Sequence, residues 1–323
     1  MKTLDHPLIV FYNVENLFDT VDDRSIRGDD EFLPDGKRFW DSERYEKKLS
    51  SLASAISLFQ QEVPALIGLC EIENRRVLED LVKQAPFSEK QLAILHEESE
   101  DPRGMDCALI YDPAVLTLLQ HRINVVQVPD EKYFRTRDIL EAQFSIGETT
   151  LFVFVNHWPS RKEGEQITYP RRKAAANLLR KRIDEILAVN PLNNILVMGD
   201  FNDKPVDKTV HEILRAKGQH ELKLGDLVNL LIEEEKDDLG THIFKGDWMV
   251  FDQLIVSQGL LQGRNGLEIY KSNAFIFKDD RLLIKKGNDT QLNTTYVGDS
   301  YVGGYSDHLP VYLHITLKKK QNK

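Results

Sequence analysis

Cysteine is scarce: Cys70 and Cys107 are the only two in 323 residues. Two thiols build neither a disulfide framework nor a four-cysteine zinc site. Both sit in apolar runs and read as buried, reduced side chains. Long apolar runs are also missing; none approaches the roughly 18 uncharged residues of a membrane helix. The opening stretch MKTLDHPLIVFYNVEN carries Asp5 and His6 after a single lysine and has no apolar signal core, so the expectation is a cytoplasmic protein. There is no internal repeat and no low-complexity linker. Positive charge is in deficit: 42 Lys and Arg against 52 Asp and Glu leave a formal net charge of −10. That excludes a uniformly basic nucleic-acid coat protein and leaves room for a local basic groove.

What is present is a globular balance, 41% hydrophobic and 29% charged, in a chain long enough to bury a sizeable core. Residues 8–11 read as a short buried strand. Residues 45–60 place Leu49, Leu52, Ala53, Ile56 and Phe59 at helical spacing, with Asp41 or Ser42 as N-cap. Pro64 breaks the chain before a second buried strand at 65–69, and 77–81 suggests a short helix. Residues 107–111, 123–128 and 139–146 are strand-like. Gly147 and Glu148 supply a turn into 149–155, a hairpin pattern. Residues 171–189 form a basic amphipathic helix stopped by Asn190 and Pro191. Short apolar strands follow at 194–198, 251–256 and 309–315. Alternating strands and helices with hairpin pairs argue for a mixed sheet system covered by helices, α/β or α+β.

The informative feature is where strands stop. LIVFYNVEN places Asn13 and Glu15 after the first strand, and ALIGLCEIEN places Glu71 after the second. LFVFVNHWPSR places His157, ILVMGDFND places Asp200 and Asn202, and SDHLPVYL places Ser306, Asp307 and His308 before the last strand. Singly, such residues are most often turn formers, caps or hydrogen-bonded histidines. Together they can converge on one face of a sheet. Three carboxylates (Glu71, Asp200, Asp307) and two amides (Asn13, Asn202) are hard oxygen donors suited to Mg²⁺ or Mn²⁺. Crowded carboxylates repel, and a divalent cation would stabilise their joint ionisation. Histidines beside such a cation can donate to an anionic substrate, which is the equipment of phosphate-ester hydrolysis.

These residues, in this order, resemble the endonuclease/exonuclease/phosphatase superfamily, whose fold is that of pancreatic deoxyribonuclease. The match runs from Asn13 to His308; GDFN and SDH, preceded by a strand-ending glutamate, are specific in combination. The resemblance implies one domain over 1–323, since a single site draws on both ends of the chain. It also implies a four-layer α/β sandwich, two packed mixed sheets flanked by helices. It implies a Mg²⁺-dependent hydrolase (Mn²⁺ being the alternative) acting on a phosphate ester, with nucleic acid, DNA or RNA, the leading substrate. By the same resemblance, Glu71 is similar to the family's metal-binding glutamate, with Asn13 and Asp307 at the same ion. Asp200 is similar to the aspartate that orients or deprotonates the attacking water, with Asn202 holding phosphate or water. His308 corresponds to the histidine facing the scissile phosphate, Asp252 in WMVFDQLIVS to the carboxylate that orients it, and His157 to a second phosphate donor.

Arg103 and Arg161 are further candidates for phosphate contacts. From Arg161 to Arg182 there are eight Lys or Arg against Glu163 and Glu165, a net +6 that could steer a polyanion. Glu15 reads as a second metal ligand or a hydrogen-bond brace. Trp158 and Trp248 read as base-stacking or, more commonly, packing residues. The acidic stretch from Glu233 to Asp238 reads as an exposed loop. Val197 replaces the tryptophan typical of inositol polyphosphate phosphatases before their GD motif, and WMVFDQLIV lacks their Cys and Arg, which disfavours that branch. A small phosphodiester or phosphomonoester, such as a phospholipid or sugar phosphate, is the alternative substrate. A catalytically silent binding module would lack a central residue, and none is missing.

Overall fold

The computed structural model describes residues 6–57, 63–234, 240–287 and 289–318. Two mixed sheets pack face to face. The first has six strands in the order β14 (Leu267–Ile276), β19 (Val311–Leu317), β1 (Leu8–Leu17), β2 (Leu66–Ile72), β4 (Asp106–Tyr111), β3 (Ala93–His96). The second has seven: β5 (Thr117–Asn124), β6 (Ile139–Ile146), β7 (Thr149–His157), β8 (Asn194–Asp200), β13 (Asp252–Ser257), β10 (Leu227–Asn229), β9 (Ala216–Lys217). β1 pairs β2 in parallel, and β7 pairs β8 in parallel. Three hairpins lie outside the sheets: β11 (His242–Phe244) with β12 (Asp247–Met249), β15 (Leu283–Lys286) with β16 (Asp289–Leu292), and β17 (Tyr296–Val297) with β18 (Ser300–Tyr301).

Side-chain alternation makes the layers. In β8, Leu196 and Met198 join the apolar cluster between the sheets, while Ile195 and Val197 join the cluster beneath α3 (Glu165–Val189). β7 repeats this, with Val153 and Val155 inward and Phe154 under α3. Buried on both faces, β8 reads in sequence as a continuous apolar run. Each such aliphatic side chain contributes about 1.5–3 kcal/mol on burial. A Cβ on Gly68 would lie 2.3 Å from Met198 Sδ, so the glycine lets the sheets close at that point. α1 (Ser42–Ser57) and α2 (Arg75–Leu81) cover the first sheet through Leu49, Leu52, Ile56, Val77, Leu78 and Leu81. The result is the four-layer α/β sandwich expected.

Asp41 is the N-cap of α1: its carboxylate accepts the Arg44 N–H at 2.9 Å. Phe59 and Gln60, expected at the end of that helix, lie outside the described residues, as do Glu235, Asp237 and Asp238 of the acidic stretch. The 139–146 and 149–155 hairpin forms with Ile146 opposite Thr149. Three expectations shift. The first strand continues to Leu17, and α3 begins six residues early, at Glu165. The strand expected at 123–128 lies instead at Thr117–Asn124, an edge strand whose half-exposed, polar pattern hides it. Cys70 and Cys107 are buried free thiols, and burial pushes both up. Among the described residues, no helix is long and apolar enough to cross a membrane.

Candidate active site

Strand register assembles the centre of the site. His157 closes β7 opposite Asp200 at the end of β8, and Asp200 lies opposite Asp252 at the start of β13. Three polar side chains thus stand in a row across neighbouring strands. Asn13 of β1 and Glu71 of β2 come from the facing sheet. Both strands break register there, and Glu71 takes φ of 64°, a bulge that re-aims its side chain. Asp307 and His308 arrive from the segment before β19.

The polar atoms are closely knit. Asn13 Nδ2 donates to Asp200 Oδ2 at 3.1 Å, and Asp200 Oδ1 accepts the Asn202 N–H at 2.9 Å. His308 Nδ1 donates to Asp252 Oδ2 at 2.7 Å. His308 Nε2 lies 3.8 Å from Asp200 and 3.9 Å from Asp307. His157 Nε2 lies 3.6 Å from Asp200 Oδ2 and 3.8 Å from Glu71 Oε1. Glu71 Oε2 accepts the Asn16 N–H at 2.9 Å, and its Oε1 lies 3.7 Å from Arg103 Nη2. Glu71, Arg103, His157, Asp200, Asn202, Asp307 and His308 line a cleft of about 520 Å³, with Asn13 and Asp252 buried behind them.

Protonation follows from burial and neighbours. Burial pushes the Asp200 carboxyl up to about 7; His308 opposes this and Asp252 adds to it. Burial also raises Asp307, against the pull of His308. For Glu71 burial is outweighed by Arg103, His308 and Arg137, so the carboxyl lies low. For His308 burial is outweighed by Asp252, Asp307 and Asp200, which hold the imidazole well above its ordinary range and charged. His157 lies well below, pressed down by burial and by Arg137, Arg103 and His308, and is neutral. The site therefore sets a charged His308 imidazole and a neutral His157 imidazole against the carboxyl groups of Glu71, Asp200, Asp252 and Asp307. Glu71 Oε1 and the half-exposed Asp307 carboxylate accept no hydrogen bond among the described residues, so hard oxygen donors with room for a divalent cation face the cleft.

The remaining candidates divide. Arg103 is half-exposed beside Glu71. Arg161 lines the cleft but is buried, donating to Asn202 O at 2.6 Å, paired with Asp203 at 2.5 Å and bonded to Asp207. It braces the loop after Asp200. The basic segment is largely neutralised: Arg172 and Arg180 are buried, Arg172 is 2.8 Å from Asp203, Arg171 pairs Glu131 and Glu163, and Arg182 pairs Glu141 and Glu185. Glu15 is a brace, accepting from Thr294 Oγ1, Thr295 N and Tyr296 N. Trp158 is buried against Phe201, a packing residue, and Trp248 is half-buried in the β11–β12 hairpin.

Two residues were not legible as site residues. Arg137 is largely buried in the cleft wall, donating to Asp101 Oδ2 and the Trp158 carbonyl, both at 3.1 Å. Its signal is only an arginine beside an aspartate in FRTRDIL. His242 stacks on His308 with centroids 4.3 Å apart and donates from Nδ1 to the Asp307 carbonyl at 2.7 Å. No strand-end pattern marked it, because β11 is three residues long.

No curated protein matches this chain in sequence. Among solved structures, D. rerio TDP2 complexed with a single-strand DNA product superposes with a TM-score of 0.57 at 15% identity, covering 96% of this chain and 99% of that one. Truncated Caenorhabditis elegans TDP2 gives 0.57 at 15%, covering 97% and 98%. The human Nocturnin catalytic domain with bound sulfate gives 0.56 at 13%, covering 98% and 97%. These likenesses establish a shared fold. With residues 8–317 matching the model of the Endonuclease/Exonuclease/phosphatase family, the chain belongs to that family and is a phosphoric ester hydrolase.

Proposed function

We propose that the protein is a Mg²⁺-dependent phosphodiesterase that cleaves nucleic acid by in-line attack of water. The observation that carries this reading is the row His157–Asp200–Asp252, closed by His308 and faced by Glu71 and Asp307. Asn13, Glu71 and Asp307 are the residues that would hold the cation. When bound, it supplies Lewis-acid polarisation of a phosphoryl oxygen. Asp200, with a carboxyl near neutrality, takes the proton of the attacking water. Asn202 Nδ2 is tied to the Trp158 carbonyl at 3.0 Å, which fixes its amide oxygen as a partner for that water. His308, charged and aligned by Asp252, donates to a non-bridging oxygen as charge builds there. His157 donates from Nε2, and Arg103 adds a guanidinium at the cleft mouth. Arg161 acts indirectly, by holding the loop that carries Asn202.

The likeness to a TDP2 bound to single-strand DNA product supports a nucleic-acid substrate. The net charge of −10 and the neutralised basic helix favour the second reading, a small phosphate ester at the same site. A panel of supercoiled plasmid, single-stranded DNA, RNA, bis-nitrophenyl phosphate and nitrophenyl phosphate, with Mg²⁺ and with EDTA, separates them. Nucleic-acid cleavage that falls steeply with salt is expected, because phosphate contacts release counterions. Salt-insensitive turnover of only the small esters would replace that reading with the second.

A further inference from the structure

The segment between β1 and α1 carries acid that the hydrolytic reading does not use. One carboxylate oxygen from each of Asp22, Asp29 and Asp30 lies within 4.8 Å of the other two. None of the three lines the cleft. Acidic groupings on a surface loop are by themselves ordinary; Asp29 sets this one apart. Asp22 and Asp30 are exposed, whereas Asp29 is only 2% exposed. Its Oδ2 accepts the Asp23 N–H at 2.8 Å, while its Oδ1, withdrawn from solvent, accepts no hydrogen bond among the described residues. A buried carboxylate oxygen with neither water nor a donor is costly, and carboxylates at this spacing repel. Burial, with Asp30 and Asp22 adding to it, raises the Asp29 carboxyl. The cation paired with the trio among the described residues is Arg24, 3.9 Å from Asp22 Oδ2 and almost fully exposed, a contact that stabilises little.

We propose that Asp22, Asp29 and Asp30 form a Ca²⁺ site outside the cleft. Oxygen donors of full negative charge suit a hard cation. Ca²⁺ takes such donors at about 2.3–2.6 Å in flexible geometry, so one ion spans oxygens up to about 5 Å apart, whereas Mg²⁺, at about 2.0–2.1 Å, needs a tighter octahedral cage. The ion supplies the missing partner of Asp29 Oδ1 and cancels the repulsion within the trio, with solvent completing its shell. Its consequence lies in what the loop touches. A Cβ on Gly28 would lie 2.3 Å from Arg103 Cα, and one on Gly104 would lie 2.8 Å from Ile26 Cδ1, so the loop rests directly on the segment that carries Arg103. Arg103 Nη2 is in turn 3.7 Å from Glu71 Oε1. A filled site therefore clamps the loop that backs the mouth of the cleft.

The test is Ca²⁺ calorimetry and thermal melting of the full chain, of Asp22→Asn and Asp29→Asn, and of Glu71→Gln as the cleft control. The expected result is a Ca²⁺-binding event tighter than about 1 mM that persists in Glu71→Gln and is weakened at least about tenfold in Asp22→Asn and in Asp29→Asn. Asparagine keeps an acceptor for the Asp23 N–H, so Asp29→Asn spares the local fold, and Asp22→Asn alters only an exposed side chain. The melts carry a sign that a merely structural role would not give. In EDTA, Asp22→Asn melts no lower than the wild-type chain, because like charge has been removed. In Ca²⁺ it melts lower, because the wild-type chain gains from the bound ion. No event tighter than about 1 mM, none remaining in Glu71→Gln, undiminished binding in either asparagine variant, or the same melting order with and without Ca²⁺ would overturn the proposal. Binding and melting are read without substrate, so the outcome does not depend on whether the chain cleaves phosphodiesters.

Discussion

Asp200 and His308 stand 3.8 Å apart at their nearest charged atoms, and burial disfavours the charged form of both. The Asp200 carboxyl sits near 7, while His308 stays charged against its own desolvation because carboxylates surround it. A base works only when ionised. kcat/KM for a diester is therefore expected to rise about tenfold per pH unit below a limb near 7 and to level off above it. Raising Mg²⁺ moves that limb to lower pH, since nearby positive charge favours the carboxylate. Asp200→Asn is expected to flatten the limb and to lower kcat by about 10²–10⁴. The same shift has a sign in stability. The folded value lies above the ordinary one, so this group's contribution is fully present below about 4 and is lost as pH rises through 7. Melting curves in EDTA between pH 4 and 8 follow it.

β8 delivers Asp200, and Gly199 is the tight point of that delivery. A Cβ there would lie 2.3 Å from the Asn156 carbonyl oxygen, so β7 and β8 could not keep His157 opposite Asp200. Gly199→Ala is expected to destabilise the fold by about 1–3 kcal/mol and to depress turnover, measured by thermal melting and diester hydrolysis. Elements buried on both faces were the legible ones: β2, β7, β8 and β13 are apolar runs, the polar residues ending the first three marked the site, and Asp252, which opens β13, was reached through the family resemblance. β5 was displaced in the reading because an edge strand is polar on both faces, and β9 to β12 are too short to show a period. The charge on α3 read as a steering patch because sequence does not reveal pairing; Glu131, Glu141 and Asp203 that neutralise it lie up to about forty residues away along the chain. His242 is held by a backbone carbonyl, and Arg137 by a backbone carbonyl and by Asp101, 36 residues away, neither of which leaves a mark in local side-chain order.

At the scale of the whole molecule, the two ends of the sequence must be held together for Asn13 and Asp307 to hold one cation as proposed. A buried ion pair does this. Lys48 of α1 donates to Thr295 Oγ1 at 2.6 Å and the Tyr305 carbonyl at 2.7 Å, and lies 4.0 Å from Glu15. Glu15 in turn accepts from the Thr294 hydroxyl and the Thr295 and Tyr296 amides, while Ser306 Oγ donates to the Asn13 carbonyl at 2.7 Å. Lys48→Met leaves Glu15 buried without its cation. It is expected to cost about 3–5 kcal/mol, seen in denaturant melts, with part recovered in Lys48→Met combined with Glu15→Gln. The central claim, that these distant segments build one cation-dependent hydrolytic centre, is tested most directly by the initial rate of phosphodiester cleavage by the full chain. Cleavage with Mg²⁺, none with EDTA, and a rate at least about a hundredfold lower for Asp200→Asn is the expected result. An undiminished rate in EDTA, or in Asp200→Asn, would contradict it.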